Sequence, residues 1–400
     1  MLLLIHKCDL ETKIIMKSDR KILYLQYTNP TAYPPLEHSS HILARHDWQV
    51  LFLGIGAQGE ANNLLFATHP NIKLRLISSC PPGWQQKLHY IQFCLWVLAW
   101  CIYWRPKVIY ASDLFSCPIA LTATFIPGIE VIYHEHDTNA GQEDSLFMDL
   151  CFKARKWLTN QAKASILPNR QRLEYFIRET AVKSPTFCVW NCPTQEEVTP
   201  PRSSALSPDG KLKLLYHGSI NSSRLPLSIL EAMASLGDRV ELGIIGYETI
   251  GNDSYIQQLR AKAQQLGIIE RVEFLGAMPR QEVLKRSQQY DLGLAFMPNN
   301  SDDVNLQHMI GASNKVFDYL SCGLALLVSD LADWHSAYVN PGYGLACDPD
   351  DVDSIAAALS WYLEHPTQMR EMGELGRQRI AQEWNYEKQF EPVLELMSSY

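Results

Sequence analysis

Along this chain, short runs of aliphatic, β-branched and aromatic residues alternate with longer stretches whose apolar positions recur at helical spacing. In the first half the short runs fall at 21–26, 48–54, 72–78, 107–111 and 130–134, and each predicts a strand. Helices are predicted at 37–46, 88–104 and 116–126, with a loop over 29–35. A polar, Pro- and Ser-rich stretch without periodicity occupies 195–211 and reads as a linker. Beyond it the alternation restarts. Strands are predicted at 213–217, 240–246, 272–275, 291–296 and 325–328. Helices are predicted at 226–236, 255–266, 280–287, 314–322, 350–364, 366–384 and about 386–398. Nearly continuous apolar strands between helices, with no Asn-Gly hairpin turn, are the pattern of βα units around a parallel sheet.

The expected architecture is therefore α/β, with two Rossmann-like α/β/α domains. The first covers 1–195, a linker covers 196–211, the second covers 212–385, and the helix over 386–400 crosses back to complete the first. Sheets of this kind bind ligands outside the carboxyl ends of their strands. Two such edges facing each other place the chemistry in an interdomain cleft, just after each strand.

Composition changes this picture little, and charge changes it more. Four hundred residues suit two or three domains. Ordinary Gly, Pro and charge contents exclude collagen-like, coiled-coil and disordered classes. The net charge of −8 argues against a nucleic-acid partner. It is unevenly placed: residues 1–200 hold 19 basic and 17 acidic residues, and 201–400 hold 16 and 26. The ten cysteines include no CxxC pair and no zinc spacing, which suits a reducing, cytoplasmic compartment. The N-terminus acquires acidic residues too early for a signal peptide.

Segment 88–104 carries no Asp, Glu, Lys or Arg and is rich in Trp and Tyr. It reads either as a core helix or as a helix lying in a membrane interface, with the Trp96, Trp100, Trp104 stripe as its docking face. A span would put strands 21–26 and 48–54 across a bilayer from 107–111 and 130–134, which could then not share one sheet. Residues 153–178 carry Lys153, Arg155, Lys156, Lys163, Arg170, Arg172 and Arg178 against Glu174. This basic face suits an anionic membrane surface, or is simply a solvated helix face.

Two segments after strands suit an anion. In HGSINSSRLP, Gly218 permits a tight turn and Arg224 stands before a helix amino end. A plain βα turn with a solvated arginine fits the same residues. In GASNKVFDYLSCG, Ser313 or Asn314 caps a helix, Lys315 lies in its first turn, and Asp318 is on the same face. A lysine early and an aspartate late oppose the helix dipole, which favours a ligand over an ordinary capped helix. Neither a GxGxxG fingerprint nor a P-loop is present.

SNKVFDYLSCGLALLV over 313–328 resembles the donor-site helix of retaining GT-B glycosyltransferases, broadly glycosyltransferase family 4. LLYHGSINSSRLPLSILEAM, VELGIIGYE, RVEFLGAMPRQEVL, YDLGLAF and GYGLACDPDDVDSIAAAL follow that family's order. KVIYASD, VIYHEHD and CVWNCP match it less tightly in the first half. The resemblance implies the GT-B fold and a nucleotide diphosphate sugar donor. It implies a donor site at Gly218, Ser219, Arg224, Gly246, Gly276, Met278, Ser313, Asn314, Lys315 and Asp318, the last binding a ribose. The family's first glutamate falls here on Ile310, and its usual Arg after the loop glycine is Ser219, so Arg224 and Lys315 are the expected diphosphate cations. His308, Asp302 and Asp303 stand nearby as substitutes for reading the donor sugar.

On the acceptor side the resemblance implies Asn29 in the first strand's loop and places His136 at the family's cleft histidine. Alternation along the extended VIYHEHD puts His134 on the same side as His136. Asp113 ends another strand and joins them as an acceptor-binding residue. The His, Glu and Asp of this segment have no common metal-ligand spacing, and no cofactor or metal is expected. His136, Arg224 and Lys315 are the expected catalytic residues of a retaining hexosyl transfer to a glycan or lipid-linked acceptor hydroxyl. A sugar-nucleotide epimerase and a non-catalytic GT-B partner subunit are the alternatives.

Overall fold

The computed structural model describes residues 20–57, 64–81, 83–138, 145–201, 210–248, 254–398 and 400. The expected absence of a signal peptide concerns residues outside these, as do 202–209 of the expected linker. The first half runs β1 (Lys21–Leu25), α1 (Pro34–Arg45), β2 (Gln49–Ile55), β3 (Ile72–Ile77), α2 (Trp84–Trp104), β4 (Val108–Ser112), α3 (Cys117–Ala123), β5 (Glu130–His134), α4 (Leu146–Gln161), β6 (Ala164–Leu167), α5 (Arg170–Thr180) and β7 (Thr186–Cys188). The second runs β8 (Leu212–Ile220), α6 (Ser228–Ser235), β9 (Val240–Glu248), α7 (Tyr255–Gln265), β10 (Val272–Gly276), α8 (Arg280–Ser287), β11 (Leu292–Ala295), α9 (Val304–Gln307), α10 (Asn314–Ser321), β12 (Ala325–Ser329), α11 (Ala332–Trp334), β13 (Gly344–Cys347), α12 (Val352–Glu364), α13 (Pro366–Gln382) and α14 (Tyr386–Met397).

Two parallel sheets result. Their orders are β3-β2-β1-β4-β5-β6-β7 and β10-β9-β8-β11-β12-β13. Both reverse direction of growth beside their first strand, between β1 and β4 and between β8 and β11. That is where crossover helices diverge and a crevice opens at the carboxyl edge. The central strands are buried almost throughout, because helices cover both faces of each sheet, while the edge strands β3, β7, β10 and β13 are partly exposed. One face of the first sheet packs on Phe93, Val97 and Cys101 of α2 together with α3 and α4. The other packs on α1 and on Tyr386, Phe390, Val393 and Met397 of α14. The last helix thus completes the first domain's core, and the Tyr386 backbone N–H bonds the Pro193 carbonyl at 2.8 Å.

The pattern of residues 135–194 suggested a basic face but no elements, and here the structure adds most. Segment 153–178 is not one helix: it holds the end of α4, then β6 and most of α5. Two of its seven cations are buried. Arg155 holds Glu135 through two bonds, at 2.6 and 2.8 Å, and Arg172 reaches into the second domain. Arg170 pairs with Glu174 and Lys163 with Glu130. The basic face is therefore smaller than the charge count implies. The start of the expected linker is also more than a spacer. Thr194 and Glu197 form a capping box around a short 3-10 turn, and Glu197 is ion-paired.

Candidate functional site

The carboxyl edges of the two sheets face a cleft of about 370 Å³. Its second-domain wall is built by three turns. Gly218 lies within β8 at φ +113°, where a side chain is strained, and a Cβ there would come within 2.9 Å of Lys315 Cε. Gly246 lies beside it at φ +146°, and a Cβ there would overlap the Gly218 carbonyl oxygen. Together the two glycines let backbone and the Lys315 stem approach one another. The third turn leads into α10, with Ser313, Asn314 and Lys315 at its amino end.

Lys315 is buried, although Lys is almost never fully buried unpaired. Its ammonium donates to the Tyr216 hydroxyl at 3.2 Å and lies 4.7 Å over the Tyr216 ring. Among the described residues no carboxylate pairs with it, nor with the Arg224 guanidinium. Burial, with Arg224 adding to it, holds Lys315 well below the usual lysine value. Ser313 occupies the N-cap position but makes no side-chain cap bond, against the expectation that it or Asn314 caps the helix. The first-turn N–H groups of α10 therefore lack a side-chain acceptor. An uncapped helix end, a buried ammonium and a guanidinium on one wall form a strong anion-binding arrangement.

Asp318, one turn on, lines the same wall, but its carboxylate is already engaged. Arg280 donates to it through both terminal nitrogens, at 3.0 and 2.6 Å. The same guanidinium holds Glu197 at 2.6 and 3.1 Å, and Glu197 meets His38 of α1 at 3.1 Å. The His217 ring stands 3.6 Å from Asp318. Burial first, then Lys315 and Arg280, holds His217 neutral. A ribose diol would meet Asp318 through lone pairs that Arg280 leaves open.

On the first-domain wall, His136 follows β5 and lines the cleft. Its backbone N–H donates to Asp113 Oδ1 at 2.8 Å. Burial, with Arg172 second, pushes the His136 imidazole down to about 3, so it is neutral. Neither ring nitrogen has a partner among the described residues. Tyr33 packs against it with ring centroids 5.1 Å apart.

Four expected site residues do not line the cleft. His134 lies beneath His136, ring centroids 3.9 Å apart, with Nδ1 2.7 Å from the Tyr110 hydroxyl. Alternation was right about its side, but the strand keeps it in the core. Asp113 positions the His136 backbone, at a residue forced to φ +63°. Asn29 caps a 3-10 turn by accepting from Thr31 N at 3.2 Å. Gly276 ends β10 and turns the chain toward Ala277 and Met278, which do line the cleft. The expected substitutes do not line the cleft either: Asp303 caps α9, the His308 carbonyl accepts from Arg172, and Asp302 is exposed. Ile310 packs on the second-domain core.

Three residues went unnominated. Arg172 is buried and donates to the carbonyls of His136 (2.8 Å), His308 (3.0 Å) and Asn305 (2.9 Å), joining the two walls. Asn191 reaches the Ala312 carbonyl at 2.8 Å from the same side. Arg280 stands in the first turn of α8, where a cation opposes the helix dipole. That was the available signal.

Residues 200–379 match a family model described as glycosyl transferases group 1. No curated protein matches the chain. Among solved structures, the sucrose-phosphate synthase of Thermosynechococcus elongatus is 14% identical, with TM-score 0.71 over 95% of this chain and 98% of that one. The Anabaena protein HepE, in complex with UDP and glucose, is 16% identical, with TM-score 0.71 over 95% and 100%. WaaG, a glycosyltransferase involved in lipopolysaccharide biosynthesis, is 14% identical, with TM-score 0.62 over 95% and 100%. The chain has the GT-B fold of these structures, and its residues 200–379 match the group 1 family model.

Proposed function

We propose that this protein transfers a hexose-type sugar from a nucleotide diphosphate sugar to an acceptor hydroxyl, with retention and without a metal, in the cytoplasm. The observation that carries this is the pair of cations on the second-domain wall, Arg224 and buried Lys315, beside the uncapped end of α10. A diphosphate is the leaving group in such a transfer. As the bond from the anomeric carbon to the diphosphate oxygen breaks, negative charge grows on that oxygen, and Arg224, Lys315 and the α10 N–H groups stabilise it. The acceptor oxygen bonds to the same face of the anomeric carbon, and its proton passes to the departing diphosphate. His136, neutral and facing the cleft, accepts a hydrogen bond from a neighbouring hydroxyl of the acceptor and so orients the reacting one, whose own proton stays directed at the diphosphate. Solved GT-B structures that carry UDP and glucose support a nucleotide-sugar donor.

The test is product mass spectrometry with UDP-, GDP- and ADP-sugars and an acceptor panel. Arg224→Ala and Lys315→Ala are each expected to lower transfer by roughly 10²–10³-fold, as losing a transition-state charge partner does. Unchanged rates contradict the assignment, and activity lost to EDTA and restored by Mg²⁺ contradicts the metal-free part. A second reading, a non-catalytic partner subunit, is favoured by one observation: Ile310 packs into the core at a position where the resemblance puts a sugar-reading glutamate. Nucleotide binding without turnover across the panel would select it.

A further inference from the structure

α2 is 21 residues long, about 31 Å at 1.5 Å per residue, and Lys87 is its only Lys, Arg, Asp or Glu. Its inner side buries Tyr90, Phe93, Val97 and Cys101. Trp96, Trp100 and Trp104, the stripe the sequence singles out, flank that side and lean on the first-domain core. Trp104 is further covered by Lys21, whose ammonium lies 5.8 Å from its ring, and Arg75 lies 5.9 Å from Trp100. The outward side is a different stripe. Trp84, Leu88, Ile91, Leu95 and Ile102 fall at helical spacing, and each is more than half exposed.

Neighbouring helices extend this face. α2 packs on α3 and α3 on α4. The Phe147 ring of α4 meets Tyr90 of α2 at 5.0 Å. From α4, Leu146, Leu150 and Trp157 are all more than half exposed. So many large apolar side chains on one side of a domain exceed what a surface facing only water carries. The exposed charges on α2 and α4 are Lys87, Lys153 and Lys156 against Asp149. No described helix is long and apolar enough to cross a membrane.

We infer that the outer face of α2 and α4 docks flat onto an anionic lipid bilayer. Leucine and isoleucine enter the acyl boundary, Trp84 and Trp157 sit at headgroup level, and the three lysines meet lipid phosphates. Charge selects this occupant over a second copy of the chain: among the described residues of α2 and α4, self-association through this face gathers six lysines against two Asp149 carboxylates. The amino-terminal half of α2 also packs on Tyr27, just beyond β1 at the sheet edge bordering the cleft, with the Tyr27 hydroxyl 3.0 Å from His89 Nδ1. Docking therefore brings that edge toward the bilayer. That the acceptor is then a membrane-anchored one rests on the transferase reading; the docking itself does not.

Co-sedimentation of the full chain with vesicles tests it, using phosphatidylcholine alone and phosphatidylcholine with phosphatidylglycerol. Binding is expected only with the anionic vesicles, weakening as salt rises. The triple variant Leu88→Ser, Ile91→Ser, Leu95→Ser alters only exposed positions, and its thermal midpoint checks that it folds. It is expected to lose vesicle binding about tenfold or more, whereas Trp96→Phe keeps it. Three results would overturn the inference: no sedimentation of the folded wild type, equal binding by the triple variant, or a wild-type dimer in light scattering that the triple variant dissociates. Transfer to a water-soluble acceptor is measured alongside. Its absence in the wild type bears on the transferase reading, not on docking.

Discussion

Two side chains at the site have their chemistry set by burial. A histidine on a surface titrates near pH 6.5. His136 does not, because its ring is buried beside the cleft, with the Arg172 guanidinium near, and is pushed down to about 3. It is uncharged at any ordinary assay pH and serves as a hydrogen-bond acceptor. His136→Ala is expected to lower transfer by roughly 10²-fold, as misplacing a reacting group does, while the wild-type pH–rate profile shows no limb near 6.5 that the variant removes. A limb that vanishes with the side chain would contradict the neutral assignment. The sequence pointed to His136, Arg224 and Lys315, since residues just after strands in such folds face ligands. The strand pattern alone did not separate His136 from His134; the family resemblance did. Both lie on one side of an extended segment, and only the sheet's edge decides which imidazole clears the core.

At the level of elements, the turn into α8, the helix α10 and the short turn after β7 are locked by one arginine. Arg280 bridges Asp318 and Glu197 with bidentate geometry on both sides. Burial alone would push the Glu197 carboxyl up, but Arg280 and His38 outweigh it and hold the group well below its usual range. Its stabilising contribution is therefore complete above the ordinary carboxylate value and is lost only as pH falls through the depressed one. Arg280→Ala leaves buried Asp318 and half-buried Glu197 without their shared cation and is expected to cost about 3 kcal/mol, read as a lowered thermal midpoint near neutral pH. A midpoint within error of wild type would show that the bridge is not formed. The strands and long helices around this lock were legible because their apolar periods are strong. The lock was not: Glu197 lies in an aperiodic polar stretch, Arg280 some eighty residues later, and nothing local couples them. β6 and β7 were illegible for another reason: neither alternates, since β6 is buried at all of its positions and β7 half-buried at all of its.

For the whole molecule, the arrangement of charge is the more informative property. The second half is the acidic one, yet it carries the anion-binding wall, so the attraction for a diphosphate is local and built from Arg224, Lys315 and one helix end. The two walls are held to each other by Arg172, by Asn191, and by Asn305, which exchanges two bonds with the Thr138 backbone at 2.7 and 2.9 Å. α14 returns to the first domain's core and packs against the first sheet. Lys315 gives the most direct test of the account. Its burial holds it well below the usual lysine value in the free protein, and a bound diphosphate supplies the missing counter-charge and raises it again. Calorimetric titration with UDP, GDP and ADP, repeated in buffers of different ionisation enthalpy and at rising pH, should find a nucleoside diphosphate whose binding takes up more protons as the pH climbs toward the usual lysine value. Lys315→Met should bind it more weakly and without that uptake. Binding with no proton uptake, or uptake unchanged in Lys315→Met, would contradict the assignment of this cleft as a diphosphate site.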